Sequence, residues 1–241
     1  MEQGQKIDRS SMNLGCTSQE VWVEAYGERI SVCLDFPKEE SGPGILIFPP
    51  LGSTKEEMFF LSDYFVKAGF VTLRMDLPGS GLSSGVLTLD SEKSFSIVIN
   101  DFLKRSEIQC SNVIAIGISL GAYWMIRTMA IDDRIAGGIG ISVPVFHQEQ
   151  WDSLEESYWL HFQHCFHQPN IKMTRPIVEK MTLYGIAEQV HSPLLAFHGE
   201  KDTISHPDSP DILRKYAGGP LTLKVHIPTH DCHLFRFMIA A

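Results

Sequence analysis

The sequence predicts an α/β fold: a mainly parallel, twisted sheet with helices on both faces and a helical insertion folded over one edge. Three observations carry that expectation. Short continuous apolar runs alternate with segments of helical period over most of the 241 residues, as a parallel sheet covered on both faces requires. One such run, residues 113–116, meets Gly117-Ile118-Ser119-Leu120-Gly121 and then a helix-compatible segment, the strand–turn–helix setting of a G-x-S-x-G elbow. The alternation breaks once, over residues 144–192, a stretch far longer than an ordinary connection between strands.

Residues 1–18 read as a loosely ordered lead-in. Residues 21–26 and 30–35 alternate apolar and polar around Gly27-Glu28-Arg29, the pattern of a hairpin. Residues 44–48 form a continuous apolar run that stops at Pro49-Pro50, and residues 56–68 read as a helix. Residues 70–75 are the next strand, and a helix over 91–105 leads to the strand before Ser119. After a helix over 122–131 come an apolar run at 135–143 and a strand at 194–198. A short helix at 208–216 and a last strand at 221–227 complete the order. The expected organisation is a core of residues 19–143 and 193–241, with residues 144–192 as a helical cap. Within the cap, residues 153–166 and 178–187 have helical periodicity, and aromatics are frequent, among them Phe146, Trp151, Tyr158, Trp159, Phe162 and Phe166.

Composition bounds the partners. A net charge of −9 argues against nucleic acid and anionic membrane, both of which need a basic face. No apolar run approaches the length of a membrane span, and residues 1–13 are polar, without the apolar core of a signal peptide. The five cysteines are odd in number and scattered, with no C-x-x-C, which fits free thiols in a reducing compartment. The expectation is a cytoplasmic chain.

The candidate chemistry centres on Ser119. A serine hydroxyl needs a base, and the base an orienting carboxylate. In a parallel sheet such groups lie just past the carboxyl ends of strands. Asp202 and Glu200, both in His198-Gly199-Glu200-Lys201-Asp202, are the candidate acids, and the family resemblance given below favours Asp202. His233 is the favoured base because several residues are needed to arch from the last strand back over Ser119; His230 is the alternative. Backbone N–H groups of Leu120 and Leu51 are the expected oxyanion donors. Pro49 and Pro50 have no N–H to offer, which singles out Leu51. His161, His164 and Cys165 share a helical spacing but lack an interleaved carboxylate, so an aromatic-rich cap wall is expected there and no metal.

Four pieces occur in the order found in one family: Pro50-Leu51-Gly52-Ser53, then Asp76-Leu77-Pro78-Gly79-Ser80-Gly81-Leu82-Ser83-Ser84-Gly85, then the Ser119 elbow, then His198-Gly199-Glu200-Lys201-Asp202 with a late histidine. Over roughly residues 20–235 the chain resembles the serine hydrolases of the α/β-hydrolase fold, in particular the small esterase and acyl-thioesterase branches. The resemblance implies a Ser119–His233–Asp202 triad and an acyl-enzyme on Ser119. It further implies no cofactor, and a small-molecule ester or thioester substrate, which an acyl carrier is one way of delivering. Trp151, Trp159 and Phe162 are then expected to line the route to Ser119. The chain departs from the family at Pro49-Pro50, where His-Gly is common, and in having only residues 234–241 after His233, where the family closes with a longer helix. Other reactions open to the same triad are acyl transfer and lactone, peptide or carbon–carbon cleavage; a non-catalytic binding member of the fold is the alternative of another class.

Overall fold

The computed structural model describes residues 6–7, 16–38, 42–145, 151–152, 154–200, 202, 204–205 and 208–226. Nine strands among them form one sheet: β1 (Lys6–Ile7), β2 (Cys16–Ala25), β3 (Glu28–Pro37), β4 (Gly42–Phe48), β5 (Val71–Met75), β6 (Ile108–Ile118), β7 (Ile135–Ile141), β8 (Leu194–Gly199) and β9 (Leu221–His226). Their spatial order is β1-β2-β3-β5-β4-β6-β7-β8-β9. From β5 to β9 all neighbours are parallel; β1, β2 and β3 join antiparallel at one side. Residues 1–18 are therefore not all lead-in, since β2 begins at Cys16 and Lys6–Ile7 pairs with it. The hairpin turns one step earlier than its glycine suggested. Ala25 pairs with Glu28 across Tyr26 and Gly27, whose φ values of 51° and 81° give the twist that suits a two-residue hairpin turn.

Side-chain alternation along β4 builds two cores. Leu46 and Phe48 enter a large cluster with Phe95, Phe102, Tyr123 and Trp124. Ile45 and Ile47 join Met58, Ile116 and Ile118 on the opposite face, with Leu61 and Phe65 packed against them. Helix α1 (Phe59–Lys67) thus covers one face, while α2 (Glu92–Leu103) and α3 (Leu120–Met129) cover the other. Helix α1 starts three residues later than the apolar pattern implied, because residues 55–58 are spent in turns that accommodate a buried Lys55.

Between β7 and β8 lie α4 (Glu156–Cys165) and α5 (Ile171–Val178), followed by a short 3₁₀ turn at Ala187–Gln189; α6 (Ser209–Tyr216) precedes β9. The helix expected over 178–187 ends where it was to begin. The Asn170 side chain accepts a hydrogen bond from the Met173 N–H at 3.0 Å, an N-cap that starts α5 early, and Gly185 at φ 75° turns the chain afterwards. No helix among the described residues is long and apolar enough to cross a membrane.

The interior carries a set of paired charges. Arg74 on β5 binds Asp35 on β3 through Nε at 2.6 Å and Nη2 at 2.9 Å, and Ser62 also donates to Asp35. Burial would push the Asp35 carboxyl up, but Arg74 and the neighbouring hydroxyls of Ser18 and Ser62 hold it below its ordinary value. Removing one partner of a buried pair leaves the other unmatched, at about 3–5 kcal/mol. Asp35→Asn should lower stability by that order in urea unfolding at neutral pH. A carboxyl with a depressed native pKa stabilises above its unfolded value of about 4 and loses that contribution as pH falls through the native value. The gap between wild type and variant should therefore close in acid; a gap that is absent at pH 7, or constant with pH, would contradict the assignment.

Candidate active site

Strand β6 runs straight into Ser119, whose backbone sits at φ 50°, ψ −119°. This is a region that a residue with a Cβ enters only under constraint. The constraint is visible on all sides. The Ser119 N–H donates to the Ile141 carbonyl at 2.8 Å, anchoring the turn to the end of β7, while the Ser119 carbonyl accepts the Ala122 N–H at 2.8 Å to begin α3. A Cβ at Gly117 would lie 2.5 Å from the Ala122 Cα, and one at Gly121 would lie 2.2 Å from the Phe48 carbonyl oxygen and 2.5 Å from that of Pro49. Only glycine fits at either position. The result is a half-buried Ser119 at the first turn of α3, where free N–H groups favour negative charge.

The same close approach sets the candidate oxyanion donors. Phe48, the last residue of β4, pairs with Gly117 of β6, and Gly121 touches the carbonyls of Phe48 and Pro49. Leu51, two residues beyond Pro49, and Leu120, directly after Ser119, therefore belong to two segments in mutual contact. The Leu51 loop is fixed from below. The Ser53 N–H donates to the Pro50 carbonyl at 3.2 Å, and Lys55 gives its N–H to Asp76 at 2.7 Å and its Nζ to the same carboxylate at 3.0 Å. Asp76 also accepts the Leu82 N–H at 2.9 Å. The Asp76–Gly85 motif is thus a clasp that joins the loops after β4 and β5.

Asp202 lies past β8, two strands from β6. It is 8 % exposed, whereas Glu200 is exposed. Its Oδ1 accepts the N–H groups of Ile204 at 2.9 Å and Ser205 at 3.0 Å. Ser205 in turn donates from its hydroxyl to the Ser142 carbonyl at 2.9 Å, tying the loop to the end of β7. His198 is buried close by; burial pushes its imidazole below the ordinary value against the pull of the Asp202 charge. His230 and His233 lie outside the described residues. The last described residue, His226 of β9, pairs with Gly199 beside the Asp202 loop.

No family model and no curated protein matches this sequence. Solved structures do match in shape. The chain superposes on 2,6-dihydroxy-pseudo-oxynicotine hydrolase with a TM-score of 0.78 at 20 % identity, over 92 % of this chain and 68 % of that one. It superposes on the α/β hydrolase GrgF from Penicillium sp. sh18 with a TM-score of 0.73 at 13 % identity, over 90 % and 92 % of the two chains. For Est1E from Butyrivibrio proteoclasticus, solved with ferulic acid bound, the TM-score is 0.69 at 18 % identity, over 91 % and 95 %. This is the α/β-hydrolase fold.

The segment between β7 and β8 carries the aromatics expected in the cap. Trp151, Trp159 and Phe162 are 1 %, 5 % and 3 % exposed, with ring centroids 5.8–6.3 Å apart, and Phe162 continues the stack to Phe166. Arg175 of α5 lies over the Trp159 ring at 5.3 Å. The three aromatics expected to line the route to Ser119 are thus packed first of all against one another. Cys165 is buried, its thiol pushed up to about 11 by desolvation, and His164 stacks edgewise with His167 at 6.4 Å. His161 turns away from both and rests against Gly52. Sequence reasoning missed that contact, and also the clasp by which Lys55 and Asp76 hold the Leu51 loop. The His161 contact joins distant segments and leaves no local signal; the clasp was hinted at only by Asp76 heading its motif.

The elbow gives a direct test. Gly121→Ala forces a methyl group into two backbone carbonyls, which cannot yield as a side chain would. Overpacking of this kind costs about 1–3 kcal/mol or more. The midpoint of thermal unfolding should fall clearly below wild type, and an unchanged midpoint would contradict the close contact between α3 and the loop after β4.

Proposed function

We propose that the protein is a serine hydrolase that cleaves a carboxylic ester or thioester of a small molecule through an acyl-enzyme on Ser119. The observation that carries the proposal is the Ser119 backbone, held at φ 50° at the head of α3, since such strain persists only where surrounding structure imposes it. Ser119 Oγ attacks the substrate carbonyl carbon while a histidine takes its proton. The oxyanion that forms receives hydrogen bonds from the Leu51 and Leu120 N–H groups, which are preorganised because both segments are locked together. The histidine then protonates the departing alcohol or thiol, and the acyl group stays on Oγ. In the second half the same histidine takes a proton from water, the hydroxide attacks the acyl carbon, and Oγ leaves with the proton returned. His233 is the proposed base and His230 its alternative. Asp202, with Oδ1 occupied by two N–H groups, has Oδ2 to orient the imidazolium. Trp151, Trp159 and Phe162 form the apolar body of the cap and set how large an acyl group it admits.

A fluorophosphonate probe should label the wild type at Ser119 and fail on Ser119→Ala; loss of a serine nucleophile is of order 10⁶ in kcat. His233→Ala should lose nearly all acylation while His230→Ala retains most of it, and the reverse pattern would exchange the two assignments. Absence of labelling in the folded wild type would remove the proposal.

A further inference from the structure

Two buried polar atoms meet at one small cavity between β8 and α6. Strand alternation puts Leu194, Ala196 and His198 on the same face of β8, and all three are buried. The cavity is lined there by Ala196 and His198, with Leu223 from β9, Val143 from the chain just past β7, and Ser209 and Leu213 from α6. His198 is 5 % exposed and Ser209 1 %. His198 Nε2 and Ser209 Oγ are sealed from solvent, and neither has a hydrogen-bond partner among the described residues, the other included. An unsatisfied polar atom in an apolar wall is costly, so two of them on one cavity call for a ligand that serves both.

Size and chemistry select the ligand. The space open to a water there is about 10 Å³, close to the roughly 10–15 Å³ that one molecule takes on that measure. Burial lowers the imidazole pKa against the pull of the Asp202 charge, so the ring is neutral and Nε2 is either a donor or an acceptor. The Ser209 hydroxyl is both. A water accepts from one partner and donates to the other whichever tautomer the ring adopts. One nitrogen and one hydroxyl among aliphatic side chains make a poor metal site, and no group of three metal-ligating side chains occurs among the described residues.

Position gives the pair its consequence. His198 stands one residue before the end of β8 and Ser209 opens α6, so they flank the stretch that carries Asp202. Within that stretch the Asp202 N–H donates to the Gly199 carbonyl at 3.1 Å, and Asp202 Oδ1 accepts the Ile204 and Ser205 N–H groups. The Ser205 hydroxyl bonds to Ser142. Those bonds shape the loop and moor its middle to the end of β7. A ligand shared by His198 and Ser209 ties its two ends to each other.

We propose that a single water molecule binds between His198 Nε2 and Ser209 Oγ and closes the neck of the loop that carries Asp202, which makes both residues positioning residues for that carboxylate. The water site is independent of the serine-hydrolase reading of Ser119; the positioning role rests on it.

The water site is tested by a double-mutant cycle in urea unfolding with Ser209→Ala, His198→Leu and the two combined. Ser209→Ala should raise the unfolding constant about fivefold, the worth of one hydrogen bond, even though alanine is the better helix former. The combined variant should lose less than the sum of the two, because no polar atom then remains to be served. Relaxation dispersion of water ¹⁷O should count one long-lived water fewer in the combined variant than in wild type. A Ser209→Ala variant as stable as wild type or more so overturns the site, since deleting an unpaired hydroxyl relieves the fold. Additive effects, or an unchanged count of long-lived waters, overturn it as well. The positioning role is read from the rate of fluorophosphonate labelling at Ser119, at a temperature where every variant is folded. That rate should fall about tenfold in Ser209→Ala and in His198→Leu, as a small displacement of a catalytic group implies, and recover in His198→Gln, which keeps a polar side chain. Equal rates in all variants, or no recovery in His198→Gln, overturn the positioning role. A folded wild type that does not label removes that role together with the assignment of Ser119, while the unfolding cycle still decides the water site.

Discussion

The buried set of Asp35, Arg74, Lys55 and Asp76 is the constraint on which the loops beyond β4 and β5 depend. Each of these groups costs several kcal/mol to take out of water unless matched, and they are matched by one another, by Glu20 and Glu56, by the hydroxyls of Ser18 and Ser62 and by nearby backbone. Arg74 accounts for Asp35 and donates to the Lys55 carbonyl; Lys55 accounts for Asp76; Asp76 holds Leu82. The chain therefore links β3, β5 and the loops after β4 and β5 into one body. The loop that carries Leu51 is anchored by Lys55, which gives both its N–H and its Nζ to Asp76.

Much of the fold could be read from the sequence because the central strands are buried on both sides. Runs such as residues 45–48 and 113–116 have no other use than a parallel sheet, and the Ser119 elbow marks its own backbone by its glycines. The early strand at Cys16–Ser18 escaped notice because that end of β2 is polar and lies toward the sheet's edge, where apolar alternation fades. The charged set escaped for a different reason. Asp35, Lys55 and Arg74 look like solvent-facing members of alternating or turn sequences, and only the third dimension reveals that they face one another. Helix α5 was misplaced because its capping residue, Asn170, outweighs the apolar spacing farther on. At the site, Ser119 and Asp202 stand at the ends of strands where the sequence puts them. The contact of His161 with Gly52 joins a helix to a loop more than a hundred residues earlier, and no local pattern encodes it.

Helix α4 ties these levels together. Its apolar flank is fixed by the stack of Trp151, Trp159, Phe162 and Phe166, its end by the bond from Leu87 to the Cys165 carbonyl, and its middle by the contact of His161 with Gly52 in the loop after β4.

The strand order also bears on when the chain becomes reactive during its synthesis. β4 stands between β5 and β6, both made later than itself, so the Leu51 loop and the Ser119 elbow meet only after two crossovers have closed. Such closures carry an entropic cost that is met before the contacts form. Asp202 arrives later still, on a strand that pairs with β7 only when the whole of α4 and α5 has been threaded between them. Ser119 and Asp202 therefore come onto one rim only after β8 has paired with β7.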